Sequence, residues 1–513
     1  MRSKLKYFFI CLIFQYSFGQ KKENLKVSIS PEIEFQTIHN FGASDAWATQ
    51  FVGNWPSEKK NAIADLLFSL EIDATDSPKG IGLSAWRFNI GAGSSEQGDL
   101  SGIKDSWRRA EGFLQNDLSY NWKSQPGQQW FLQAAKQRGV QDFIGFVNSP
   151  PVQLTKNNKA YPSDPNSSNL SAKNYHAYAV FLAQIVKNFK NNLNIDLNYI
   201  SPFNEPQWDW VKGNQEGSPW NNDELSTATK VIDAVFNKEN IHSKLELTEA
   251  GSIDYLTSEK NKWKNRSNQI DAFFNAESNN YVADLNSVAK KIAGHSYFTT
   301  WEISKLKAER EKIAQKLQEY PNLEYWMSEY CILENNEEIK GKDKDLGMKT
   351  ALYVSRVIHA DLTISNASAW HWWTALSAYN YKDGLVYVDK NKIDGEFSDS
   401  KLLWALGNYS RFIRPEAKRI KVDYNDLNSI DNLKNGLLIS AYKNTDKSIV
   451  IVIVNQQENA ASIDLDMAAI STFKTVKMYS TNETLNLKGV RIKGTEKTIS
   501  VSGKSVNTLV YTN

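Results

Sequence analysis

"LNYISPFNEP", residues 197–206, runs from a β-compatible apolar segment into a polar pair, Asn204 and Glu205, and stops at a proline. A buried parallel strand favours β-branched and aromatic residues. A carboxylate at its end costs free energy unless it is paired, hydrated or used. What the rest of the chain places beside Glu205 decides among these.

Seven other segments have the same character: 38–47 "IHNFGASDAW", 84–93 "SAWRFNIGAG", 142–151 "DFIGFVNSPP", 244–251 "KLELTEAG", 291–298 "KIAGHSYF", 324–330 "EYWMSEY" and 367–375 "ASAWHWWTA". Between them lie stretches such as "NYHAYAVFLAQIVKNFKNN" (174–192), where apolar residues recur at three- and four-residue spacing, the period of a half-buried helix. "STATKVIDAVFNKEN" and "LGMKTALYVSRVIHADLTIS" read the same way. Eight strands alternating with helices predict an α/β fold, a closed (β/α)8 TIM barrel over 38–410. From about 419 the pattern changes to short alternating strands separated by turn residues, which predicts an all-β sandwich over 411–513. The strand-like segment within 20–37 is expected to join that sandwich, whose composition suits a supporting domain with carbohydrate binding as an alternative role.

Residues 1–19 combine a basic start, "MRSKLK", with the short apolar run "YFFICLIFQYSFG" and a small residue before Gln20, the pattern of a secretory signal peptide. The run is too short for a stable bilayer span, so a membrane anchor is the second reading. A lipoprotein would need a cysteine at the cut, whereas Cys11 lies inside the apolar run. Removing 1–19 takes away Arg2, Lys4 and Lys6 and moves the formal charge from +2 to −1. A near-neutral surface gives no electrostatic case for nucleic acid or an anionic membrane. The mature chain is expected to be secreted or periplasmic, not inserted in a membrane, and monomeric. Only Cys331 then remains, so no intramolecular disulfide can form. Six histidines and one cysteine show no metal-ligand spacing, so neither metal nor cofactor is expected.

In a barrel of this kind the working residues sit at the C-terminal ends of the strands. Those ends carry Asp45 and Trp47, Arg87 and Asn89, Asn148, Asn204 and Glu205, Glu249, His295 and Tyr297, Glu329, and the "WHWW" run 370–373. No serine–histidine or cysteine nucleophile pattern is apparent, and "NIGAG" lacks the glycine spacing of a dinucleotide fingerprint. Two carboxylates across a tryptophan-rich mouth fit glycoside hydrolysis, in which one must be protonated and the other ionised. Mutual repulsion and unlike surroundings separate the two pKa values. A structural ion pair is the plain alternative for Glu205 alone, and Glu329 in register on strand seven disfavours it. Sixteen Trp and 22 Tyr include several set beside polar residues, and their flat faces suit stacking on sugars. Trp47, Trp301, Trp370 and Trp372 are expected to line the cleft.

The ordered set "FGASDAW", "WRFNIGAGS", "NSPP", "SPFNEPQ", "HSYF", "WMSEY" and "WHWW" resembles glycoside hydrolase family 30 over about residues 25–513. "NEP" alone is common among barrel glycosidases; the ordered set is specific. The resemblance implies a retaining enzyme with Glu205 as acid/base and Glu329 as nucleophile. It further implies that Asn204 bonds the sugar 2-hydroxyl and that Tyr297 holds the nucleophile. "GAGSSEQGD" and "WRRAEGF" look like the branch containing endo-β-1,6-galactanases. Asn148 stands where many relatives carry tryptophan, leaving room and hydrogen-bonding groups for an axial hydroxyl such as that of galactose. β-1,6-Glucanase, xylanase and an exo-acting β-glycosidase are the alternatives within the family. Transglycosylation would use the same intermediate, and a non-catalytic carbohydrate-binding barrel is the alternative of another class. The expected partner is a β-linked oligo- or polysaccharide. No basic pocket is apparent after strand eight, which argues against reading a glucuronate side chain, although Lys382 lies nearby.

Overall fold

The computed structural model describes residues 24–467, 473–491 and 497–513. Residues 1–19, expected to be a signal peptide, lie outside the described residues. Strand β1 (Leu25–Ile38) precedes eight strands: β2 (Asn40–Ser44), β3 (Ala85–Asn89), β4 (Asp142–Phe146), β5 (Tyr199–Ser201), β6 (Lys244–Ala250), β7 (Val288–His295), β8 (Glu324–Glu329) and β9 (Ala369–Ser377). Strands β2 to β9 pair in parallel with their sequence neighbours, and β9 pairs with both β8 and β2. The sheet is therefore a closed eight-stranded barrel. The chain then extends it beyond β9 with β10 (Gly384–Val388), parallel to β9, and β11 (Phe397–Asp399), antiparallel to β10.

The sequence periodicity accounts for the outer ring. Helix Tyr175–Leu193 buries Tyr178, Phe181, Leu182, Ile185, Val186 and Phe189, one stripe at three- and four-residue spacing, and ends at Asn194 in the left-handed conformation. Helix Asn222–Lys238 starts where the Glu224 carboxylate accepts the Asn221 backbone N–H at 2.9 Å, satisfying a donor otherwise orphaned. Strand β5 has only three residues because Pro202 follows it with no N–H to donate to the ladder. The chain is thereby released into the loop that carries Asn204 and Glu205.

Beyond the barrel come β12 (Ala417–Asp423), β13 (Leu437–Lys443), β14 (Ile449–Asn455), β15 (Ala461–Met467), β16 (Thr475–Thr481), β17 (Lys488–Arg491), β18 (Thr498–Val501) and β19 (Ser505–Thr512). They form a β-sandwich, in which β1 lies between β12 and β15. Strand β14, "IVIVIVN", is buried on both faces. Ile449, Ile451 and Ile453 enter the sandwich interior, while Val450, Val452 and Val454 join the core shared with the barrel helices. Hydrogen bonds cross the same seam: Thr508 Oγ1 donates to Asn408 O at 2.6 Å, and Asn408 Nδ2 to Thr481 Oγ1 at 2.7 Å. No helix among the described residues is long and apolar enough to cross a membrane.

Because β14 serves two cores at once, sandwich and barrel should unfold together. Val452→Asp places an unpaired carboxylate in the shared core, at an expected cost of about 3 kcal/mol or more. A single calorimetric transition moved to lower temperature is the expected result. A sandwich melting separately, with the barrel transition unchanged, would refute the coupling.

Candidate active site

At the C-terminal mouth of the barrel, three buried carboxylates surround one imidazole. His295, at the end of β7, is fully buried. Its Nε2 lies 2.9 Å from Glu249 Oε2, and its Nδ1 lies 3.1 Å from Glu205 Oε1 and 3.4 Å from Glu329 Oε1. Burial alone would lower its pKa. The carboxylates of Glu329, Glu205 and Glu249 outweigh burial and push it up to about 10, so the ring is a cation at neutral pH. Arg87, inside β3, is the second cation. Its Nη1 donates to Glu329 Oε2 at 2.9 Å and its Nη2 lies 3.5 Å from Glu249 Oε1. Phe146 backs the guanidinium, whose centre lies 4.5 Å from the ring.

The three glutamates differ in surroundings. Glu249 accepts from Ser201 Oγ at 3.0 Å and Ser328 Oγ at 2.5 Å as well as from His295. Burial works against its ionisation, but Arg87 and His295 prevail and hold its pKa well below the usual carboxylate range. Glu329 has both oxygens taken, one by Arg87 and the other by the Tyr297 hydroxyl at 3.0 Å. Burial raises its pKa; Glu205 adds to the rise while His295 and Arg87 oppose it. Glu205 has a left-handed backbone, φ 45°, and donates its N–H to Glu249 O at 2.8 Å. Of its carboxyl oxygens, only Oε1 meets the ring.

Beside this cluster runs a chain of amides. Asn204 Nδ2 donates to Asn148 Oδ1 at 3.0 Å, and Asn148 Nδ2 to Asn89 Oδ1 at 3.2 Å. The Asn89 backbone N–H donates to Asp45 Oδ1 at 2.7 Å, which Gln128 Nε2 also reaches at 3.1 Å. Asn204 Oδ1 and Asp45 Oδ2 are buried without a protein partner. Acceptors left open in a buried site call for a ligand hydroxyl or water. Burial pushes the Asp45 carboxyl up to about 7.

The cleft above encloses about 530 Å³, within the roughly 300–1,000 Å³ usual for ligand pockets. Glu205, Glu329, Asn204, Tyr297, Trp47 and Trp373 line it. So do Trp208, Trp210, Phe298, Tyr381 and Arg108, none of which was singled out from the sequence. "NEPQWDW" did carry a signal for the first two, since aromatics follow the carboxylate by three and five residues. A Cβ on Gly217 would come within 2.3 Å of the Trp210 ring, and one on Gly251 within 2.4 Å of Trp208 Nε1, so both indoles lie flat on glycine backbone.

Four expectations need correction. Trp370 and Trp372 are wholly buried on the outer face of β9, stacked at 6.2 Å, with Trp370 Nε1 donating to Asp361 Oδ2 and Trp372 Nε1 to Asp383 O. Strand alternation turns His371 and Trp373 inward instead. Trp301 is half-buried against the hydrophobic core and does not line the cleft. Asn148 has its carboxamide taken by Asn204 and Asn89, so it sits behind Asn204 and does not frame a sugar hydroxyl. Glu205, His295 and Glu329 each offer a ligand atom, all within 4.8 Å of one another. Such a trio holds a metal only through a neutral imidazole, so binding there would have to displace the proton of His295.

A parallel barrel closed over a cluster of paired glutamates, beneath a tryptophan-walled cleft, is the architecture of a barrel glycosidase. The comparisons make the class specific. The family model for O-glycosyl hydrolase family 30 matches residues 24–387, and that for the glycosyl hydrolase family 30 β-sandwich domain matches 416–509. The chain belongs to glycoside hydrolase family 30. An endo-β-1,6-galactanase from Hypocrea rufa is 24% identical over 416 residues, covering 77% of this chain and 76% of the relative. A conserved exported protein from Bacteroides fragilis superposes with a TM-score of 0.89 at 34% identity, over 94% of this chain and 99% of that one. The catalytic domain of xylanase C from Talaromyces cellulolyticus superposes with a TM-score of 0.67 at 19% identity, over 95% and 100%.

Two outcomes follow from this geometry. Trp370→Ala and Trp372→Ala should each cost about 3–5 kcal/mol of stability, whereas Trp47→Ala and Trp373→Ala should weaken substrate binding several-fold and shift the melting temperature less. Thermal melts beside KM measurements separate the two pairs, and reversed behaviour would put the wrong face of β9 in the cleft. His295→Gln removes the cation between the glutamates, which raises the carboxyl pKa values and should move the pH–rate profile to the alkaline side at reduced kcat. In the wild type, the raised His295 pKa adds stability that is complete below about pH 6.5. That contribution is lost as pH rises through about 10. An unmoved pH profile in His295→Gln would show the ring to be neutral.

Proposed function

We propose that the chain is a secreted, retaining glycoside hydrolase that cleaves β-1,6-linked galactan by double displacement, with Glu329 as nucleophile and Glu205 as acid/base. One observation carries the mechanism: an oxygen of Glu205 and an oxygen of Glu329 lie within 4.8 Å of each other. Retaining pairs stand about 5–5.5 Å apart, whereas inverting pairs need about 6.5–9.5 Å to admit water. The donor pattern supports the division of roles. Arg87 and Tyr297 donate to both oxygens of Glu329, as suits a nucleophilic carboxylate, and Glu205 is assigned the acid/base role.

In the first step a Glu329 oxygen attacks the anomeric carbon while Glu205 gives its proton to the departing glycosidic oxygen. In the second, Glu205 takes a proton from water, which attacks the same carbon and releases Glu329. Asn204, through its open Oδ1, accepts a hydroxyl of the bound sugar. The galactan assignment rests on the Hypocrea rufa relative and the "GAGSSEQGD" and "WRRAEGF" segments, no longer on Asn148. Secretion rests on residues 1–19 and on the exported Bacteroides fragilis relative.

Product analysis on β-1,6-galactan, β-1,6-glucan and xylan tests the substrate, and release of galacto-oligosaccharides from the first is expected. The roles fail differently when removed. Glu329→Gly should lose turnover by orders of magnitude, and with added azide convert an activated β-glycoside to the α-glycosyl azide. Glu205→Gly should form the glycosyl-enzyme from a substrate with a good leaving group, stall, and with azide give the β-glycosyl azide. Swapped anomers would reverse the roles, and full activity in either variant would end the proposal.

A further inference from the structure

Between His295 and Tyr297, which both reach into the barrel mouth, stands Ser296, whose side chain turns the other way. Alternation at the end of β7 sends its hydroxyl out into the helical layer. Two wholly buried charges meet it there. Arg310, in helix Ile303–Gln318, donates Nε to Oδ1 of Asp361, in helix Met348–Thr363, at 2.7 Å. Arg310 Nη2 donates to Ser296 Oγ at 3.0 Å, and that hydroxyl, 3.3 Å from each Asp361 oxygen, donates to the carboxylate. Arg310 Nη1 donates to the backbone oxygen of Thr299 at 2.9 Å.

The ion pair therefore holds the chain at Ser296 and again at Thr299, on either side of Tyr297 and Phe298. Between those two points the backbone is strained. Phe298 is left-handed, φ 61°, a conformation that an aromatic residue keeps only where its surroundings dictate it. This turn delivers the Tyr297 hydroxyl to Glu329 Oε1 at 3.0 Å, and the Ser296 N–H donates to the Glu329 backbone oxygen at 3.3 Å. Stability alone gives little reason for the pair, since apolar side chains of similar volume often pack as well as a buried ion pair. What apolar packing lacks is direction. All three guanidinium nitrogens are committed here, to Asp361, to Ser296 and to Thr299.

Resting on the reading of Glu329 as nucleophile, the geometry points to Arg310 and Asp361 as positioning residues of the reaction. Through Ser296 and Thr299 they hold the turn that sets the Tyr297 hydroxyl, and with it the Glu329 carboxylate, in place for attack.

Replacing Arg310 or Asp361 singly would strand the other charge and weaken the whole fold, so Ser296→Ala is used to cut the link and leave the pair intact. Rates on activated aryl β-glycosides, the β-galactoside first, are compared for wild type, Ser296→Ala, Tyr297→Phe and the double variant. Tyr297→Phe should lower kcat by about 10- to 100-fold, the worth of a hydrogen bond to a charged group. Ser296→Ala should lower kcat about 10-fold at nearly unchanged KM, because misplacing a reacting group costs rate. Of the groups facing Glu329, which are Arg87, His295, Glu205 and Tyr297, only the last is displaced. The acid limb of kcat/KM should then move to higher pH, as the ionised carboxylate loses a donor. The double variant should be no slower than Tyr297→Phe alone, since nothing is left to misplace. Losses that multiply in the double variant would overturn the proposal, as would wild-type rates in either single variant. If azide products reverse the roles of the glutamates, the nucleophile reading fails, and the coupling of Ser296 to Tyr297 stands or falls on the same cycle. If no glycoside is turned over, the glycosidase reading fails and crystal structures give the answer. A Tyr297 hydroxyl displaced from Glu329 in Ser296→Ala supports the positioning role, and one still at 3.0 Å overturns it.

Discussion

One buried ring, that of His295, lies within hydrogen-bonding reach of three carboxylates, and the mouth of the barrel is arranged around it. Carboxylates this close and this buried would repel one another and drive protonation of two of them. A cation between them removes that outcome. Glu249 fixes the ring: it is itself fixed by Ser201, Ser328 and Arg87, and it takes Nε2, so that Nδ1 points to Glu205 and Glu329. Each member is placed by a strand end or by the loop directly after one, and those ends belong to the closed eight-stranded barrel. Rigidity of the barrel is thus transmitted to atoms that must stay within tenths of an ångström.

Much of this was legible in the sequence because barrel strands announce themselves twice, as β-rich runs and by the helical stripes that follow them. All eight fell where "FGAS", "AWRFN", "DFIGF", "YIS", "KLELTEA", "KKIAGH", "EYWMSE" and "AWHWW" stand. Strand ends then brought Glu205, Glu329, Arg87, His295 and Glu249 together at one mouth. What failed was parity. Every residue of β9 is buried, so polar–apolar alternation cannot tell which of Trp370, Trp372 and Trp373 faces inward. Asn148 failed for another reason: a carboxamide beside two other amides is claimed by them, and that contact is tertiary. Arg108 lies in the long connection after β3, and Phe298 and Tyr381 in the short loops after β7 and β9, whose paths over the cleft depend on packing that no local pattern encodes.

The charges at the mouth also bear on the proposed reaction. Arg87 and His295 supply two positive charges against Glu249, Glu329 and Glu205, so the cluster is neutral when one carboxyl keeps a proton. The proposed mechanism assigns that proton to Glu205, the acid, and the donors Arg87 and Tyr297 to the nucleophile Glu329. In the first displacement Glu329 becomes an ester and loses its charge, while Glu205 gives up its proton and gains one. The negative charge therefore moves from one carboxyl to the other without changing in amount. His295 Nδ1 faces both ends of that transfer, 3.4 Å from Glu329 and 3.1 Å from Glu205. A single N–H can follow the charge by a small tilt, so the surroundings need little reorganisation as the bond breaks. The second displacement returns the charge along the same line, and the same preorganised cation serves both halves of the cycle.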